Sequence, residues 1–142
     1  MIGIVLSGHG KFASGLYSSI QLIAGEQEGF QTVDFLEGMS SESLQKKLEE
    51  AVETVDQHHG VVVFTDIPGG TPFNQAVMLS TKREHVRVIS GTNLPALLDG
   101  SFSREISLEN FTAKILDSGK AGLQLFEQKK NKTTPSKFDD GI

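Results

Sequence analysis

Residues 3–16 read GIVLSGHGKFASGL: an aliphatic run, a histidine held between two glycines, and then a stretch with Phe12 and Leu16 at helical spacing. The first part is near-continuously apolar, the pattern of a strand covered on both faces in a parallel sheet. Strand, tight loop and helix start in direct succession open a βαβ arrangement. His9 falls where the apolar run has stopped and the chain turns.

The same rhythm repeats along the chain. Apolar runs at 2–6 (IGIVL), 32–36 (TVDFL), 61–65 (VVVFT) and 86–90 (VRVIS) predict four strands. A helix is predicted over 12–24, with Phe12, Leu16, Ile20 and Ile23 on one face. A second over 41–57 carries Leu44, Leu48, Ala51, Val52 and Val55, with Ser40 or Ser41 as N-cap and Glu42 in its first turn. A third over 72–81 opens with Thr71 at the N-cap and Pro72 at the first helical position. This alternation predicts an α/β domain with a doubly wound, mostly parallel β-sheet flanked by helices. Past residue 95 the pattern weakens to a short helix near 94–99 and another near 108–120. GLQLF (122–126) fits either an extension of that helix or an antiparallel C-terminal edge strand. KKNKTTPSKFDDGI is polar, so the domain is placed at 1–128 and a tail at 129–142.

Composition narrows the classes of function. A chain of 142 residues matches one domain and buries roughly 68–70% of its unfolded surface. A formal charge of −5 argues against nucleic acid, whose phosphates call for a basic face. The absence of cysteine removes disulfides, thiolate nucleophiles and Cys-based zinc sites, and fits the cytoplasm. MIGIVL lacks a basic leader region and breaks at Ser7-Gly8, so it reads as a buried first strand rather than a signal peptide or membrane span.

Ligands of open parallel sheets bind outside the carboxyl ends of the strands, near the point where strand order reverses. Three loops converge there: SGHGK (7–11), DIPGGT (66–71) and GTNLP (91–95), holding His9, Asp66, Thr71 and Asn93. One reading is a small dinucleotide- or flavin-binding module, since Gly8-His9-Gly10-Lys11-Phe12-Ala13 matches G-x-G-x-x-A and Asp34 follows at the ribose-acid distance. Against it, the chain has little room for a second nucleotide-binding half, and Asp34 lies within the second strand. No G-x-S-x-G elbow occurs, which removes a serine hydrolase. His58 and His59 read as favourable charge at a helix C-terminus rather than metal ligands, and His85 as a surface loop residue.

A lone loop histidine commonly bonds a backbone carbonyl. His9 differs because Asp66 occupies the corresponding place after the third strand. A carboxylate accepting from one ring nitrogen fixes the tautomer and leaves the other nitrogen nucleophilic, as a phosphoryl-accepting histidine requires. Gly8 and Gly10 let a phosphoryl group or a large partner approach the backbone. Gly69-Gly70 ahead of Thr71-Pro72 builds a bare-backbone turn into a helix N-terminus, an anion cradle, with the Thr71 hydroxyl in reach of a phosphoryl group on His9.

These loops, together with GEQEG (25–29), TDIPGGTPFN (65–74) and VISGTNLPALL (88–98), carry a resemblance over nearly the whole chain. The chain resembles the IIA component of the mannose-type family of the phosphoenolpyruvate-dependent sugar phosphotransferase system. The resemblance implies a phosphotransferase that receives a phosphoryl group from HPr on His9 and hands it to a IIB component. It implies that Asp66 orients the ring, that Thr71, Gly70, Gly8 and Gly10 surround the phosphate, and that Ile67, Pro68 and Asn93 meet partners. It further implies a cytoplasmic homodimer, indirect association with a membrane IIC/IID permease, and no cofactor or metal. Relatives often carry a Trp where this chain has Ile67-Pro68, so partner contacts of that loop differ. Relatives with a fused IIB domain continue through a Pro/Ala-rich linker, absent after KFDDGI, so a separate IIB protein is expected. The sugar is not legible, because this component need not touch it.

Overall fold

The computed structural model describes residues 1–129. The chain runs β1 (Gly3–His9), α1 (Phe12–Ala24), β2 (Phe30–Phe35), α2 (Ser41–Val55), β3 (Val61–Thr65), α3 (Thr71–Lys82), β4 (Val86–Ile89), α4 (Leu94–Phe102) and α5 (Leu108–Ala121). The sheet has the order β2-β1-β3-β4 with every pair parallel. The chain leaves β1 in one direction for β2 and crosses back to β3 on the other side. Strand order therefore reverses between β1 and β3, and a crevice opens above their carboxyl ends.

Alternation along the strands feeds two core layers. Ile4, Leu6, Val62 and Phe64 pack with Ile20 of α1, Leu97 of α4, and Phe111 and Ile115 of α5. Val5 and Val63, on the other face, pack with Leu44, Leu48 and Val52 of α2 and Ala76 and Leu79 of α3. Helices on both faces make the domain doubly wound, as the pattern predicts.

β1 extends three residues past its apolar run. Ser7 is fully buried, yet it continues both ladders opposite Val33 and Thr65, and its hydroxyl donates to the Val33 carbonyl at 2.8 Å. A satisfied hydroxyl does not interrupt a strand, so β1 delivers His9 to the rim. α2 starts at Ser41 behind the Ser40 cap, which accepts from the Ser43 N–H at 3.0 Å. It stops at Val55, short of the predicted residue 57, because Asp56 accepts from the His58 N–H and His58 takes a left-handed φ of 65°.

Two expectations are corrected. Gly70, not Thr71, is the N-cap of α3, and Thr71 is its first helical residue with Pro72 behind it. Pro lacks an N–H and is tolerated anywhere in the first turn, so its position does not fix the cap. The antiparallel C-terminal edge strand does not form among the described residues: 122–126 neither pairs with the sheet nor extends α5. Gly122 closes the helix with its N–H on the Ser118 carbonyl and lies so near Pro95 that a methyl group there would approach it to 2.6 Å. Apart from Lys129, the predicted tail lies outside the described residues.

At the amino ends of the strands, Arg104 is buried and locks the α4–α5 loop to the sheet. Its Nε donates to the Ile2 carbonyl at 2.9 Å and its Nη atoms to the carbonyls of Gly29, at 2.6 Å, and Glu28, while its own carbonyl accepts from the Ile2 N–H. Arg104→Met would leave three carbonyls without their charged donor, and the expected loss of stability is about 3 kcal/mol or more. Arg104→Lys should recover only part of it, because a single ammonium cannot reproduce the guanidinium fork. Urea denaturation of the two variants checks this; a midpoint within error of wild type for Arg104→Met overturns it.

Candidate functional site

The crevice between β1 and β3 brings His9 and Asp66 together. One carboxylate oxygen, Asp66 Oδ2, accepts from the backbone N–H of His9 at 2.8 Å and stands 2.7 Å from ring Nδ1. An ionised carboxylate only accepts, so Nδ1 carries the proton and Nε2 is left with its lone pair. The two side chains differ in exposure, 46% for His9 against 12% for Asp66, so the imidazole faces solvent while its anchor stays sheltered. Burial is the largest influence on the Asp66 carboxyl and pushes its pKa up. Hydrogen bonds from the His9 backbone, the His9 ring and the Ile67 backbone overcome it, helped by the charge of His9 whenever its ring is protonated, and the net shift is downward.

Gly70 completes the ring's surroundings. A methyl group at that position would stand 2.7 Å from His9 Cε1 and 3.5 Å from Nε2, so only bare backbone fits there. The start of α3 is thereby set beside Nε2. The residue ahead of it, Gly69, takes a φ of 83°, which lets the loop turn this sharply. Thr71 follows in the first turn, and Ile67, 58% exposed, lies against the Gly70 position with Pro68 exposed beside it. The third loop is fastened to the same strand end by the Thr92 N–H on the Thr65 carbonyl at 3.2 Å and by the Gly91 N–H on the Asp66 carbonyl.

The other residues singled out in the sequence hold different positions. Gly8 is a packing glycine, since a methyl group there would come within 2.4 Å of the Phe12 ring. Gly10 takes a φ of 58° and spends its N–H on the Phe35 carbonyl at 2.8 Å. Asn93 caps α4, accepting from the Ala96 N–H at 3.1 Å, and its amide donates to the Gly119 carbonyl at 2.9 Å. Asp34 uses both oxygens on Ser14, from the backbone N–H at 2.9 Å and the hydroxyl at 2.6 Å. The acid and the glycine N–H that a dinucleotide would need are thus committed inside the fold, and the nucleotide reading loses its support. His58, His59 and His85 precede β3 and β4, at the opposite ends of the strands. Among the described residues no group of three or more His, Cys, Asp or Glu is placed to hold a metal ion, and no helix is long and apolar enough to cross a membrane.

Sequence reading missed Phe35. It is the register partner of His9 across β1 and β2, and its ring meets the imidazole with centroids 5.9 Å apart. No local signal marks it, because register between strands separated by a helix is not written in either strand.

The family described as PTS system fructose IIA component, EIIA-man, matches residues 3–116, which include every element of this crevice. The chain belongs to this family. It is 35% identical over 105 residues to the PTS system fructose-specific EIIA component of Bacillus subtilis, covering 74% of this chain and 72% of that one. It is 32% identical over 130 residues to the PTS system mannose-specific EIIAB component of Escherichia coli, covering 90% of this chain but 40% of that relative's length. The crystal structure of the phosphotransferase system component EIIA from Streptococcus agalactiae superimposes with a TM-score of 0.81 at 34% identity, covering 87% of this chain and 96% of that one. The chain thus spans less than half the length of the mannose-specific relative and most of the length of the fructose-specific one.

The depressed Asp66 carboxyl makes a prediction about stability. A group whose folded pKa lies below its unfolded value of 3.8 contributes stability that is complete above that value and is lost as pH falls through the folded one. Wild type should therefore lose stability relative to Asp66→Asn as the solution is acidified below about pH 4. Melting temperatures of both proteins across the acid range check the sign; parallel curves overturn it.

Proposed function

We propose that this IIA chain is a cytoplasmic phosphocarrier that accepts a phosphoryl group from phospho-HPr on His9 and passes it to a IIB component during sugar uptake and phosphorylation. The observation that carries this reading is Asp66 Oδ2 holding both the backbone N–H and Nδ1 of His9, whose side chain is 46% exposed. The Nε2 lone pair attacks phosphorus, and the bond from phosphorus to the donor breaks with its electron pair returning to the donor. Nδ1 keeps its proton throughout. The ring consequently becomes positively charged, and the Asp66 carboxylate offsets that charge. Onward transfer to IIB is the same displacement in reverse.

Phosphoryl transfer of this kind is mainly positioning and charge stabilisation. The N–H groups at the start of α3 supply the second, supplemented by the Thr71 hydroxyl, which donates to a phosphate oxygen. No cofactor or metal enters the step. Donor and acceptor must reach the same nitrogen, so they occupy the same face in turn. Ile67 and Pro68 form part of that face, and Asn93 shapes the third loop behind it. IIB links the chain indirectly to a IIC/IID permease. A homodimer is favoured by β4, which ends the sheet among the described residues, and by Leu123 and Leu125, exposed just past α5.

Incubation with phosphoenolpyruvate, enzyme I and HPr should add one acid-labile, base-stable phosphoryl group per chain. His9→Ala should add none, whereas His58→Ala, His59→Ala and His85→Ala should still label; label persisting in His9→Ala overturns the assignment. In rapid-quench transfer from phospho-HPr, Asp66→Asn should be slower by on the order of 10² to 10⁴. Thr71→Ser should be mild and Thr71→Ala intermediate, and wild-type rates in folded Thr71→Ala would confine that residue to starting the helix. Light scattering should give a mass near twice the 15.4 kDa of the chain, and a mass near 15.4 kDa at micromolar concentration rejects the dimer.

A further inference from the structure

We propose that Phe35 is a positioning residue for His9 and that its ring stabilises the positively charged, phosphorylated imidazole relative to the free one. The inference rests on the reading of His9 as the phosphoryl acceptor and adds a residue to that site. Two independent features of the backbone fix Phe35 in place. It pairs with His9 in the parallel ladder of β1 and β2, so the two side chains leave the sheet on the same face. Just beyond, Gly10 turns back in an isolated antiparallel bridge and donates its N–H to the Phe35 carbonyl at 2.8 Å. The strand end bearing His9 is therefore tied to the residue bearing the phenyl ring.

The rings meet edge to face, with centroids 5.9 Å apart and planes inclined by 72°. This is the arrangement that the aromatic quadrupole favours. With Asp66 on Nδ1 and the Gly70 backbone beside Cε1, the phenyl ring adds a further wall, and Nε2 keeps an open approach. The chemistry supplies the differential effect. A phosphoryl group on Nε2 with the proton retained on Nδ1 gives the imidazole ring a positive charge, and with the imidazole edge directed at the phenyl face, within about 6 Å of its centroid, that charge is attracted by the ring's negative face. Neutral His9 receives only the weaker packing interaction. Phe35 therefore favours the phosphorylated state over the free one, whereas a residue that merely filled space would favour neither.

The test is the equilibrium of phosphoryl exchange between phospho-HPr and this chain, read by ³¹P NMR of the two phosphohistidines at fixed pH. Phe35→Leu keeps apolar bulk and removes the aromatic ring; the equilibrium should move toward phospho-HPr by about two- to fivefold. Phe35→Tyr keeps the ring and should restore the wild-type position. If Phe35→Leu does not fold, Phe35→Met carries the same comparison. An unchanged equilibrium in the folded aliphatic variant, or equal loss in Phe35→Tyr, overturns the proposal while leaving His9 as acceptor. Failure of wild type to take up phosphate at His9 instead overturns the parent reading, and with it this one.

Discussion

A single carboxylate oxygen, Asp66 Oδ2, binds both the main chain and the side chain of His9, and the rest of the molecule is arranged so that it can. The contact requires β1 and β3 to be neighbours although α1, β2 and α2 separate them in sequence, which is what the reversal of strand order provides. It requires β1 to run on to residue 9, which the buried but satisfied Ser7 permits. It also requires the chain to turn immediately after Thr65, where the third loop is bonded to the carbonyls of Thr65 and Asp66. The double contact removes rotational freedom from both dihedrals of the imidazole, so the orientation of Nε2 is set before any partner arrives.

Opposing electrostatic influences keep that carboxylate charged. Shelter from water would by itself favour the neutral acid. The two donors of His9, with the Ile67 backbone nearby, reverse the balance. Charge-assisted bonds of this kind are about twice as strong as neutral ones. The imidazole sits further out, so the pair is graded: a sheltered anion behind, a solvent-facing ring in front. Were Asp66 as exposed as His9, water would screen it and the hold on the ring would weaken.

Most of the architecture was legible because it depends on local pattern. The apolar run at 61–65 and the helical spacing over 12–24 coincide with β3 and α1. His9 and Asp66 could be paired from sequence because both follow strands in a parallel sheet, and topology then brings such residues together. What stayed hidden depends on non-local geometry. Phe35 matters through register with β1, and Arg104 matters through carbonyls of residues 2, 28 and 29, far away in sequence. Asp34 was readable as a ribose ligand only while its partner Ser14, on a different element, was out of view. The edge strand at 122–126 failed for a related reason: apolar residues permit pairing, but only an available edge in the right place produces it.

The start of α3 shows how stability and access to the ring are reconciled. Ser, Thr, Asp and Asn are the preferred caps because their side chains satisfy one of the free N–H groups of the first turn. α3 begins instead at Gly70 with no side-chain cap, while α2, α4 and α5 are capped by Ser40, Asn93 and Ser107. Any side chain at position 70 would enter the space of the His9 ring. Replacing a good cap by glycine costs only a few tenths of a kcal/mol, far less than displacing an imidazole bound at two points. The same choice leaves the first N–H groups of α3 uncovered by a capping side chain, beside Nε2, where an incoming anion would need them. Of the two described helices without a side-chain cap, α1 and α3, it is α3 whose start stands against the His9 ring.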